Sequence, residues 1–204
     1  MVVKKFIAVL CIAGLLCACN GSGGRAQDGA AVPLSSFASD LQRRYPNAAA
    51  NAVLRDSCTT YINKVLASYN GKRLALLDGL PVVFSGSTKY PAGCGPLSGK
   101  YLAVFILPGG SLLVGPTEKP VDISLQIYTR LTAGEISRLV EGGQYIVSGI
   151  FEGLATGYEV PGADGLTSVT DNAVAVSTDA ITHNLTVSLG TLVLSKSVLK
   201  PAAN

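Results

Sequence analysis

The chain has no tryptophan, one histidine and one methionine in 204 residues, and only 14% of it is charged. A lone histidine, His183, excludes a site built from several imidazoles, and histidine-based acid–base chemistry would rest on that residue alone. Its neighbour Asn184 marks the position as a turn, so His183 reads as a surface residue. No Gly-x-Ser-x-Gly elbow appears among the serines. "PGGSLLVG" lacks the Gly-Lys-Ser/Thr ending of a phosphate loop, and "PGADG" offers one carboxylate where a calcium loop alternates several. These motifs point to no catalytic residue, no metal and no cofactor.

Charge of one sign is scarce too. There are 16 basic and 13 acidic residues, a net of +3. Setting aside Lys4 and Lys5, which belong to the leader described next, leaves 14 against 13 and a net of +1. Nucleic-acid binders draw their affinity from clustered Lys and Arg, and no such cluster is present, so nucleic acid is not an expected partner. A membrane span is also lacking: the apolar run from Phe6 to Leu16 is about half of the ~20 residues a bilayer needs.

What that run does resemble is an export signal, with Lys4 and Lys5 before the apolar core and small residues after it. The phrase Leu16-Cys17-Ala18-Cys19 resembles the bacterial lipobox. The resemblance implies removal of residues 1–18 and diacylglycerol on Cys19, the first mature residue. Asn20, rather than Asp, then implies delivery to the outer membrane, facing the periplasm. Such a tether gains about 0.8 kcal/mol per buried methylene. Residues 19–33 are Gly- and Ala-rich and read as a flexible linker with a reach of roughly 20 Å. Residues 34–200 are long enough for one domain with its own core.

Two cysteines, Cys58 and Cys94, lie in that domain. In an oxidising compartment they are expected to pair, closing a loop of about 36 residues and contributing roughly 3–4 kcal/mol. From Asn47 to Tyr69, apolar residues recur at three- and four-residue spacing, which predicts a helix closed by Asn70-Gly71. Beyond it the pattern shifts to short runs bounded by Gly and Pro, which read as strands: "KRLALLDG", "LPVVFSG", "KYLAVFIL", "SLLVG", "DISLQIYTRL", "QYIVSGIFEGL", "NAVAVS" and "NLTVSLGTLVLS". "LPGGS" reads as a hairpin turn. "LTAGEISRLVEGG" carries a capping box, Thr132 with Glu135, and a hydrophobic staple, Leu131 with Ile136.

This order, a helix, strands, a short helix and more strands, resembles the OB-fold, a five-stranded Greek-key barrel with a helix between strands three and four. It is more closely similar to the tRNA-anticodon-like OB domains of bacterial envelope lipoproteins. The matching residues are Tyr69, Gly71 and Lys72, then "LVEGGQYIVSGIFEGL" with Gly142, Gly143 and Gly149. The fold class implied is mainly β with an N-terminal helix. Tyr101, Phe105 and Tyr128 fall where nucleic-acid-binding OB-folds stack bases, although strand alternation turns some of them into core. Residues 157–184 exceed the usual link between strands four and five, which predicts an extra hairpin or a long loop bordering the binding face. The candidate contact residues are therefore Tyr158, Glu159 and Asp164 on that segment, with Tyr101 and Tyr128 on the strands. The expected role is a lipid-anchored adaptor without catalysis that engages another envelope protein. The alternative is a protective inhibitor of a cell-wall-degrading enzyme.

Overall fold

A computed structural model describes residues 34–114, 120–162 and 165–202. The leader, Cys19, the linker and Asp164 lie outside the described residues. Two helices come first. α1 (Leu34–Arg44) buries Leu34, Phe37, Ala38 and Leu41, one stripe at helical spacing. α2 (Ala52–Ser68) buries Cys58, Ile62 and Leu66, and its first turn is capped by Asn51, whose side chain accepts from the Leu54 amide at 3.2 Å. Asp40 joins the two helices, since it accepts from the Tyr61 hydroxyl at 2.7 Å and from Arg44 on its own helix at 2.7 Å.

The strands follow: β1 (Pro81–Lys89), β2 (Tyr101–Val114), β3 (Val121–Leu131), β4 (Gln144–Leu154), β5 (Glu159–Gly162), β6 (Gly165–Ser168), β7 (Ala175–Thr178) and β8 (Leu185–Pro201). Six of them form a mainly antiparallel sheet in the order β3-β2-β1-β4-β8-β7. A parallel pairing of β3 with β8, from Val121↔Leu185 to Thr129↔Leu194, returns the sheet on itself, so five strands make a ring. Alternation fills it: Val121, Ile123, Leu125, Ile127, Thr129 and Leu131 of β3 are buried, and the residues between them face outward. One turn of helix, α3 (Ala133–Ile136), separates β3 from β4 and carries the expected capping box, with Glu135 accepting from the Thr132 amide at 2.7 Å.

Several expectations are corrected. "KRLALLDG" is a strand only in part. Lys72 and Leu74 bond along β4 at Phe151 and Gly149, after which Ala75–Leu77 turn into a 3-10 helix with Leu74, Leu76 and Leu77 buried. A short apolar run fits a buried turn as well as a buried strand. "LPGGS" is not a hairpin turn: residues on both sides of it pair with β3, Ile106 with Gln126 and Ser111 with Ser124, so the glycines serve an irregularity inside one long strand. Gly109 and Gly110 take φ of +69° and +90° there. The predicted helix start at Asn47 is a short 3-10 turn, Ala48–Ala50, and α2 begins after Asn51.

The expected Cys58–Cys94 bridge is not formed; both thiols are free. Cys58 points from α2 into the core, fully buried, whereas Cys94 sits half-exposed in the turn between β1 and β2. Burial alone raises the Cys58 thiol to about 11.

Candidate binding face and its cover

The outward side of the ring across β2, β3 and β8 is built by register. Leu102 lies opposite Arg130, Val104 opposite Tyr128, and Ile106 opposite Gln126. On the other side of β3, Val193 stands beside Tyr128 and Thr191 beside Gln126. Tyr128 and Arg130 thus share one face, two residues apart on one strand. Tyr101 does not join them: it pairs with Leu131 and alternates with Ala103 and Phe105, which are core. The predicted aromatic platform of Tyr101, Phe105 and Tyr128 is therefore split between two sides of the sheet.

The chain between β4 and β8 comes back over this face. As expected it contains an extra hairpin, β5 with β6, in the register Glu159↔Ser168 to Gly162↔Gly165. Its base is tied by backbone bonds from Gly157 to Val169 (2.8 Å) and from Val169 to Tyr158 (3.0 Å). Tyr158 then lies against Arg130, whose guanidinium is 4.2 Å from the ring centre. Tyr90 also lies near this cation, its ring centre 5.8 Å from the guanidinium, and Nε of Arg130 donates to the Tyr90 hydroxyl at 3.4 Å. That hydroxyl donates to the Glu159 carbonyl at 3.1 Å. One cation so meets two phenols, one from the end of β1 and one from the returning segment. Burial pushes the Tyr158 phenol well above its usual range, with the Arg130 charge opposing the rise.

Leu102, Tyr90, Val193 and Ala155 are buried without belonging to the main core. A second tie holds the far end of the returning segment. The Asn172 amide accepts from the Thr191 backbone N–H at 2.6 Å and donates to the Thr191 carbonyl at 2.9 Å. Thr156 donates to the Asn172 carbonyl at 2.6 Å. Gly190, at φ +72°, makes room for this: a Cβ there would lie 2.6 Å from the Asn172 Oδ1. Between Asn172 and the strands a cleft of about 450 Å³ stays open, lined by Ile106, Gln126, Asp171, Ser188 and Thr191 among others.

Of the sequence-predicted contact residues, Tyr158 is at this site, half-buried; Glu159 is exposed on the hairpin; and Tyr128 is half-buried on the ring. Asp164 lies outside the described residues, and Tyr101 faces the core side. His183 is exposed in the turn between β7 and β8, as its neighbour Asn184 suggested. Sequence reasoning missed Arg130, Tyr90 and Asn172. Arg130 was within reach, because alternation in "DISLQIYTRL" puts it on the face of Tyr128. Tyr90 and Asn172 carry no local signal, since their roles arise from contacts across 69 and 19 residues. No known protein family, no curated protein and no solved structure matches this chain.

Proposed function

We propose that the chain is an OB-type barrel serving as a non-catalytic binding module, tethered through a lipid on Cys19 to the periplasmic face of the outer membrane, where it engages another envelope protein. The ring order β3-β2-β1-β4-β8, its single parallel seam and the capped turn between β3 and β4 support the fold reading. The lipobox-like phrase supports the anchor. Fold alone names no partner.

The observation that carries the binding role is the hairpin of β5 and β6. Both ends of its segment are pinned to the ring, by Tyr158 on Arg130 and by Asn172 on Thr191, while the hairpin itself presents Glu159 and the apolar Leu166 to solvent. An element whose base is fastened to the ring presents its exposed side chains from a defined position, which suits a docking surface. The test replaces residues 159–168 by a short Gly-Ser linker in the lipidated protein, followed by crosslinking in the native envelope. The expected result is loss of the captured envelope protein with an unchanged thermal unfolding midpoint. Capture that survives the replacement overturns the assignment. Replacing Cys19 by Ser should move the protein from the membrane to the soluble fraction and abolish labelling by a radioactive fatty acid.

A further inference from the structure

On another part of the domain, away from the hairpin, residues from three distant stretches enclose a cleft of about 630 Å³. Its wall is formed by Gln42 and Tyr45 at the end of α1, Asn47 in the following turn, Pro120 before β3, and His183 and Asn184 before β8. That volume lies within the usual range for small-molecule sites. Among the described residues, no Asp, Glu, Lys or Arg lines it. The polar side chains on offer are three carboxamides, the Thr182 hydroxyl and the His183 imidazole, set beside the Tyr45 phenol and the apolar surfaces of Pro46, Ala49 and Ala50.

Those carboxamides are idle in the fold. The Oε1 of Gln42 is buried and has no hydrogen-bond partner among the described residues, and Asn47 precedes its 3-10 turn without a side-chain capping bond. Asn184 is held by its backbone, whose N–H meets the Thr182 hydroxyl at 3.4 Å and whose carbonyl accepts from Asp179 at 3.0 Å. Elsewhere the chain spends such groups on structure: Asn51 caps α2, and Asn172 binds Thr191 twice. An amide with no internal partner is free to present either its oxygen or its NH₂.

The frame around them is rigid. Arg55 donates to the carbonyls of Ala48 and Ala49 at 3.3 and 3.0 Å, and Thr178 of β7 donates to Ala49 at 2.6 Å, which fastens the Asn47 turn to the sheet. Across the cleft, Asp179 accepts from the amides of Ile181 and Thr182, and His183 is held at φ +57°. Non-glycine residues in that region are uncommon and gather at binding sites.

We infer that this cleft binds an uncharged N-acetylated sugar unit of a glycan. A saccharide hydroxyl both donates and accepts, as a carboxamide does. The acetamide pairs with a side-chain amide while its methyl lies on Ala49, Ala50 or Pro46, and the apolar face of the sugar ring lies on Tyr45. A charged ligand would lose its hydration here with no Asp, Glu, Lys or Arg among the described lining residues to offset the loss.

The probe is an N-acetylglucosamine oligomer, titrated into the folded domain while backbone amide resonances are followed by NMR; the glucose oligomer lacking the acetamide is the comparison. Shifts are expected in residues 42–50 and 182–185, with the glucose oligomer at least about tenfold weaker. Asn47→Ala and Asn184→Ala remove side chains that have no hydrogen-bond partner among the described residues, so each should leave the remaining spectrum in place while weakening binding about tenfold. Absence of shifts at millimolar sugar overturns the inference. So does an equal response to the glucose oligomer, shifts centred on Tyr128 and Tyr158 instead, or a cleft that responds only to a proline-rich peptide. Apart from shifts at Tyr128 and Tyr158, which would move the sugar to the hairpin-covered face, these outcomes leave capture through the hairpin untouched.

Discussion

Gly190 is the residue on which the returning segment rests most directly. Its φ of +72° lies in the left-handed region, and the Asn172 amide occupies the space a Cβ would take. Gly190→Ala must therefore strain the backbone and expel Asn172 from Thr191, leaving the Thr191 N–H without that amide while its carbonyl keeps the Ala155 N–H. A loss of about 2 kcal/mol is expected by urea unfolding, with a larger rise in amide exchange at residues 170–174 than in the ring. An unchanged midpoint would remove Asn172 from the account. The two thiols provide a second residue-scale check. Cys58 is buried and its thiol is raised to about 11, so at pH 8 in the folded protein an alkylating agent should modify Cys94 and leave Cys58 untouched. After unfolding without reductant both should react, and a protein that gains no label until it is reduced would restore the disulfide.

Among the elements, the helical layer depends on one carboxylate. Burial pushes the Asp40 carboxyl upward, but hydrogen bonds from Arg43, Tyr61 and Arg44 outweigh it and hold the group at about 2, below the ordinary 3.8. A depressed carboxyl contributes stability that is complete above the unfolded value and disappears as pH falls through the folded one. Asp40→Asn should thus be less stable than wild type at neutral pH, and the gap should close between about pH 4 and pH 2. Thermal unfolding of both proteins across that range measures it; a gap independent of pH would assign the effect to packing. Elements also show what could be read from the chain. The strands β1, β3, β4 and β8 and the α3 cap were legible because each has an alternation or a box confined to a dozen residues or so. The helix α1 is written as Leu34, Phe37, Ala38 and Leu41, yet it directly adjoins the Gly-rich segment and is short enough to be lost beside it. The 3-10 turn at Ala75 and the irregular middle of β2 were illegible for a different reason. A buried turn has the same apolar composition as a strand, and only strand pairing distinguishes a glycine irregularity from a hairpin.

At the scale of the whole molecule, the ring and its cover should differ in stability. The ring strands share a continuous core, whereas β5 and β6 pair only with each other and are mostly exposed or half-buried. Native-state hydrogen exchange should then protect amides of β3, β4 and β8 most, and those of residues 159–168 least. Uniform protection would mean that hairpin and ring open together. The candidate site was legible only to the extent that an oversized link between β4 and β8 promised something laid over the face. What lies there, Arg130 against Tyr90 and Tyr158, depends on three segments that meet only after the ring has formed, and no local pattern in any of them records the others.

The parallel seam of β3 with β8 has a consequence for how the molecule comes into being. β8 is the last strand of the domain to be synthesised, and it pairs with β3, β4 and β7. Until it arrives, the strands before it are an open sheet with β3 and β4 lacking this partner, so every partial chain carries adhesive edges that the finished one hides. Long-range pairings of this kind make folding slow, on the order of milliseconds to seconds. The ring can therefore close only once β8 has been synthesised, and the edges of β3 and β4 are satisfied together, by one strand, in the last step.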